Sequence, residues 1–277
     1  MIGVMMTYKP SPKPNFFEPT HIVYNQIETY MWGDEEAGKV KDWIYISNES
    51  LHQIIFGLEP GNNFKHSDQY RTIFGADELL YVLSGVLIIN NPETGETHKI
   101  LPGESVFFQK DTWHHAFNYS EEYLQVLEFF SPPPITGTSG AYAREKKLLK
   151  NIKYKRDKYL YPSETFKNEN SFKIIRTKDY IWSLEGDKQE TLIGTIVKTQ
   201  NLDVKIINLK PLQETNIFNF KKNTSYLSLS NNLEIFFDDK KKFLLSEKDG
   251  LYLPSNYSFK IKNLNNFDAN IIFCIGI

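Results

Sequence analysis

The tightest constraint on the fold is the rhythm of the chain: short apolar runs rich in Ile, Val, Phe and Tyr, each closed after a few residues by a turn signal. HQIIFGL, ELLYVLSGVLIIN, SVFFQ and YLQVLEFF fill the first half, and TLIGTIV, VKIINL, LEIFF, FLLS, LYLP and ANIIFCIGI the second. Runs of this length at this spacing predict the strands of an all-β sandwich or barrel. NNPETGE, between Ile89 and Thr97, suits a hairpin turn. One stretch predicts a helix, roughly Gly140 to Leu160, opened by TGTSG and closed at Tyr161-Pro162. The SPPP before it, at 131–134, cannot continue a central strand and marks a junction.

The chain also repeats itself. Tyr30-Met31-Trp32 recurs as Tyr180-Ile181-Trp182, and Gly57-Leu58-Glu59-Pro60 recurs as Asn208-Leu209-Lys210-Pro211, at offsets of 150 and 151. GESVFFQKDTWHHAFN pairs with DGLYLPSNYSFKIKN near 145, so that His114 falls on Phe259 and Asn118 on Asn263. Three matches in the same order predict two similarly folded β domains from a duplication. The boundaries that follow are an arm at 1–20, a first barrel at 21–134, a Pro-rich then helical linker at 135–165, and a second barrel at 166–277.

Charge and cysteine content narrow the function classes. Residues 1–130 hold 18 Asp and Glu against 8 Lys and Arg, a net of −10, while the rest of the chain nets +8. The basic residues are scattered and no nucleic-acid motif accompanies them, so a nucleic-acid partner is not expected. No window approaches the 18 apolar residues of a membrane span, and the N-terminal stretch is broken by Pro and Lys before it could form a signal peptide. With a single cysteine, Cys274, in an apolar terminal strand, disulfides and cysteine-based zinc sites are excluded and a cytoplasmic location is expected. Nucleophile-elbow, Walker and dinucleotide fingerprints are missing.

Chemistry concentrates in the first half. Pro60-Gly61 is followed by His66 and Glu78, then, after six intervening residues, by Gly85; further on come Pro102-Gly103-Glu104, and His114 with Asn118 four residues later. This pattern resembles the cupin superfamily, whose two motifs are a Gly, a His-x-His pair, a Glu and a Gly, then Pro-x-Gly and a His with an Asn four residues on. The resemblance implies two double-stranded β-helix (jelly-roll) barrels, a bicupin, with a degenerate second barrel. Where the family has its His-x-His pair this chain has RTIFGAD, and His66 is the nearest histidine.

His66, Glu78 and His114 are therefore the expected metal ligands. Two imidazoles and a carboxylate with open positions suit Fe(II), and also tolerate Mn, Ni, Co or Zn. The alternative is a barrel in which Glu78 and His114 only hydrogen-bond within a polar pocket. Between the candidate ligands lie Tyr70, expected to move a proton, and Asp68 and Arg71, expected with Asn118 to hold a small polar or anionic substrate. The reading is a metal-dependent enzyme with dioxygenase-type oxidation slightly favoured. Its alternatives are a metal-free cupin sugar epimerase, isomerase or lyase, and a non-catalytic small-molecule-binding bicupin. Paired barrels also allow a homodimer.

Overall fold

A computed structural model describes residues 11–133, 141–158, 172–186 and 189–277 of the 277-residue chain. The first half builds strands β1 (Thr20–Ile22), β2 (Thr29–Asp34), β3 (Gly38–Ser47), β4 (His52–Leu58), β5 (Asn63–Phe64) and β6 (Asp77–Ser84). It continues with β7 (Leu87–Asn91), β8 (Glu96–Ile100), β9 (Ser105–Phe108), β10 (His115–Asn118) and β11 (Leu124–Ser131). The second half repeats the series as β12 (Lys173–Ile175), β13 (Ile181–Glu185), β14 (Thr191–Lys198), β15 (Asp203–Leu209), β16 (Phe218–Asn219) and β17 (Thr224–Ser228). It closes with β18 (Leu233–Phe237), β19 (Lys242–Leu245), β20 (Gly250–Leu253), β21 (Ser258–Asn263) and β22 (Ala269–Ile275).

Each half forms a jelly-roll barrel from a seven-stranded and a four-stranded antiparallel sheet. The first pairs the order β12-β9-β6-β11-β4-β3-β2 with β5-β10-β7-β8; the second pairs β1-β20-β17-β22-β15-β14-β13 with β16-β21-β18-β19. The two are matched strand for strand, as the internal repeat predicts, except that the first strand of each series sits in the other barrel. Thr20, His21 and Ile22 pair with Tyr252, Leu251 and Gly250, while Lys173, Ile174 and Ile175 pair with Phe107, Val106 and Ser105.

The seven-stranded sheets stack back to back. Tyr45, Leu51, Ile55, Leu79, Leu127 and Phe129 of one meet Val204, Ile206, Leu227, Tyr252, Ile272 and Cys274 of the other in a single buried cluster. This explains why β11 is buried at every residue and reads as a nearly continuous apolar run: one face fills its own barrel and the other faces the neighbouring sheet. Across the seam Tyr45 lies over Gly250, where an added Cβ would come within 2.5 Å of the ring, and its hydroxyl donates to the Lys248 carbonyl at 2.6 Å.

The predicted helix is mostly not helical. Among the described residues of that stretch only α1 (Ala141–Glu145) is helical, and residues 146–158 run as an irregular strap over the four-stranded sheet of the first barrel. Lys residues at 146, 147, 150, 153, 155 and 158, with Arg156, crowd like charges at helical spacing. The barrel also offers the strap's backbone other partners: Lys153 N–H donates to the Pro92 carbonyl at 2.8 Å. Residues 159–165 of the predicted linker lie outside the described residues. Among the described residues, no helix is long and apolar enough to cross a membrane.

Candidate functional site

The motif glycines serve turns. Gly85, at φ +72°, leaves a would-be Cβ 2.8 Å from the Leu124 Cα, so any side chain there both strains the backbone and collides with β11. That turn holds β6 against β11, pairing Glu78 with Phe130 and Leu80 with Glu128. Glu78 thus points into the barrel beside Glu128, and the two carboxyls hydrogen-bond with each other.

His114 sits just before β10, its backbone N–H donating to the Thr72 carbonyl at 3.1 Å. Its Nδ1 is 3.3 Å from the Thr112 carbonyl, a partner that only accepts, so Nδ1 carries the proton and Nε2 keeps its lone pair. Nε2 lies 3.9 Å from Glu78 Oε2, an atom buried with no hydrogen-bond partner. Phe108, Phe74 and Phe64 surround the imidazole, with ring centroids 4.8, 5.4 and 6.1 Å away.

This environment inverts the usual protonation. Burial pushes the His114 pKa down to about 4 and that of Glu128 up to about 8. Burial, and then the neighbouring Glu128 charge, raises both Glu78 and Asp42. Beside them opens a cavity of about 110 Å³ lined by His114, Glu128, Asp42, His52, Thr72 and aromatic rings from β2, β4 and β11, with residues 11–13 of the N-terminal arm at its rim. His52, its Nδ1 3.0 Å from Ser47 Oγ, is also lowered by burial. Thr72 Oγ1 is fully buried without a partner.

The other expected site residues lie elsewhere. His66 is on the outer side of the four-stranded sheet: Nδ1 is 2.8 Å from His115 Nε2, Nε2 donates to the Leu149 carbonyl at 2.8 Å, and the ring packs on Trp113. It falls five residues after Gly61 in an irregular stretch between β5 and β6, which turns it out toward the strap. Arg71 does not line the cavity; its Nη1 donates to the carbonyls of Ala143, Arg144 and Lys146 at 3.2, 3.3 and 2.6 Å. Asp68 is exposed, and its carbonyl accepts from Arg71. Tyr70 packs edge-on against Trp32 behind the cavity wall, at 5.0 Å.

Asn118 ties two loops together. Its amide donates to the Leu58 and Glu122 carbonyls at 3.0 and 2.8 Å, and Asn263 clamps the equivalent loop of the second barrel through Leu209 and Phe267. Of the expected residues, then, the fold brings together Glu78 and His114. The residues beside them that carry no motif are Asp42, His52, Thr72 and Glu128. Glu128 has one sequence signal, as the charge in the middle of the apolar run YLQVLEFF.

A metal does not fit this donor set. Thr72 and Phe74 stand where the family pattern has its histidine pair, the Phe74 ring packs against His114, and the Glu78 and Glu128 carboxyls are turned to each other. Among the described residues, no group of three His, Cys, Asp or Glu is arranged to hold an ion.

Strand register shows what the second barrel puts in the same places. Glu78 corresponds to Thr224, Glu128 to Phe273, Asp42 to Ile193 and His114 to Phe259. Ile193, Phe259 and Phe273 are all members of that barrel's apolar core. At these four positions this barrel holds three apolar residues and one threonine, so the buried carboxyls and imidazole of the first barrel are an addition the fold does not require.

Comparisons agree with this architecture. The Cupin domain family model matches residues 74–130, the span that holds Glu78, His114 and Glu128. The chain is similar in structure to a putative glyoxylate-induced protein from Pseudomonas aeruginosa, at TM-score 0.67 and 12% identity, over 98% of this chain and 93% of that one. It is similar to the Lactobacillus farciminis oxalate decarboxylase formate complex, at TM-score 0.62 and 12% identity over 95% and 87%. AerE from Microcystis aeruginosa gives TM-score 0.60 and 12% identity over 93% and 98%. A search of curated proteins found no match. At such identities the likeness is one of fold: two cupin barrels, with the motif match in the first.

Proposed function

We propose that this chain, a bicupin by fold, acts on a small molecule in its first barrel by proton transfer between side chains, without a bound metal. The observation that supports this reading most is the replacement of Asp42, Glu78, His114 and Glu128 by Ile193, Thr224, Phe259 and Phe273 in the paired barrel. Three carboxyls and an imidazole buried where the same fold is content with three apolar residues and a threonine cost stability, and function is the reason to keep them.

The roles follow from protonation. Near neutral pH the Glu78–Glu128 pair retains a proton it can give, while His114 is neutral with Nε2 open to take one. An acid and a base held a few ångströms apart, with their pKa values driven in opposite directions, suit isomerisation, epimerisation or elimination at a carbon next to a polar group. The expected oxidation would need a second histidine facing the cavity beside His114 and Glu78, and His66 faces outward.

The test is solvent exchange. Full-length protein, incubated in D2O with a panel of small hydroxy acids, oxo acids, amines and sugars, is expected to place deuterium at one carbon of at least one compound, read by NMR. E128Q and H114F should slow that exchange by about 10²- to 10⁴-fold. Exchange unaffected by both substitutions, or none across the panel, would count against the reading. So would near-stoichiometric metal in untagged protein that disappears in E78Q.

A further inference from the structure

Resting on that reading, we infer that the first-barrel cavity takes a small organic cation, its charged nitrogen seated among aromatic rings and facing Asp42 and Glu128, which release a proton to solvent as the cation binds and so come to balance its charge. The walls supply the first argument. Tyr30, Trp32, Phe74 and Phe130 line one compact space with the two carboxyls, and ring faces around a cation are a recognised way to bind a poorly hydrated ammonium group.

Charge supplies the second argument. Asp42 and Glu128, on the cavity wall, are 9% and 6% exposed, and Glu78 is buried behind them. Among the described residues that line the cavity, the single Lys or Arg is Lys13, which is solvent-exposed on the arm at the rim. Arg71, a cation between His66 and Glu78 in the sequence, is spent on backbone carbonyls on the outside of the barrel. An anionic ligand would meet buried acids without a buried counter-ion, whereas a cation would answer them.

One unpartnered polar atom points to a ligand independently of the acids. Thr72 Oγ1, on the cavity wall, is buried with no hydrogen-bond partner. The volume of about 110 Å³ bounds the size. A cavity of roughly 150 Å³ holds a benzene, so the ligand is on the order of five to seven heavy atoms. Thr72 could then accept or donate a hydrogen bond to a hydroxyl or carbonyl at the far end of such a molecule.

Calorimetry with a charge series of nearly equal shape tests this: choline as the cation, 3,3-dimethylbutan-1-ol as the neutral isostere, and 3,3-dimethylbutanoate as the anion, each titrated into the full-length protein. Choline is expected to bind about tenfold tighter than the alcohol, with no measurable heat from the anion. D42N/E128Q, checked for folding by circular dichroism, should bring choline down to the affinity of the alcohol and leave the alcohol unchanged. Equal binding of choline and alcohol, preference for the anion, or no binding of any of the three overturns the inference. The readout requires no turnover. Deuterium exchange on a neutral substrate without cation preference would sink this inference alone, and cation preference without exchange would sink only the proton-transfer reading.

Discussion

Glu128 shows how much a single residue carries in this barrel. Its carboxyl, pushed by burial from about 4.5 up to about 8, stays protonated in the folded state over a range where the unfolded chain has released its proton. Folded protein therefore binds more protons between those values. The contribution is fully present below about pH 4.5 and is lost as pH rises through about 8. His114 works in the opposite sense: held down at about 4 rather than 6.5, it contributes stability at higher pH that is lost as pH falls through about 4. E128Q removes one side of this balance. Its melting temperature relative to wild type is expected to rise steadily from pH 5 to pH 8, equivalent to at most about 1.4 kcal/mol per pH unit. A difference that stays flat with pH would mean that the carboxyl ionises normally inside the barrel. At this scale the sequence is half legible. Glu78 and His114 stand out because their spacing to Gly85 and Asn118 is fixed by turns, whereas Asp42 and Glu128 reach the same point through sheet register alone. His66 misleads because a one-residue difference in an irregular stretch decides which side of a sheet a side chain takes.

Among the elements, the strands could be read from apolar runs bounded by turns, and the strap could not. Residues 141–158 have the composition of a helix, but their conformation is set by what the barrel offers. Arg71 satisfies carbonyls at the end of α1, and His66 holds the Leu149 carbonyl. Arg156 pairs at 2.8 Å with Glu96, which is almost fully buried. Gly95 lets the strap approach closely, since a Cβ there would stand 2.1 Å from the Lys155 carbonyl oxygen. Arg71, which suggested a substrate contact, thus acts with His66 as a latch on the strap. R71A is expected to cost about 1.5–3 kcal/mol, since it removes charged hydrogen bonds to three carbonyls. It should also speed amide exchange across 146–156 while exchange in β4, β6 and β11 stays as in wild type. If amide exchange in the strap is unchanged, Arg71 does not hold it.

For the whole molecule, the repeat and its offsets foretell two barrels, but nothing in a three-residue strand tells which barrel will take it. The exchange of β1 and β12 has a consequence that a simple tandem pair would not have. Each barrel lacks an edge strand unless the other half is present, and each exposes the apolar back of its large sheet if alone. On one side that face includes Tyr45, Leu51, Ile55, Leu79, Leu127 and Phe129, well beyond the isolated apolar residues a soluble surface tolerates. Buried polar contacts also cross the seam, where Gln53 reaches the Tyr226 carbonyl and the Ser225 hydroxyl, and the exchanged β1 brings His21 to 2.9 Å from Asp249. Neither half should then be an independent folding unit, even though only the first carries the site. Fragments 1–158 and 159–277, expressed apart, are expected to be insoluble or to lack cooperative melting. Expressed together they should associate into a soluble complex that melts in one transition, as the intact chain should in calorimetry. A soluble, cooperatively melting single fragment, or two resolved transitions in the intact chain, would mean that the seam is an ordinary domain contact. If the single transition holds, the second barrel keeps its place in the chain by completing and bracing the first, which explains why its interior could lose the buried acids and imidazole without the barrel being discarded.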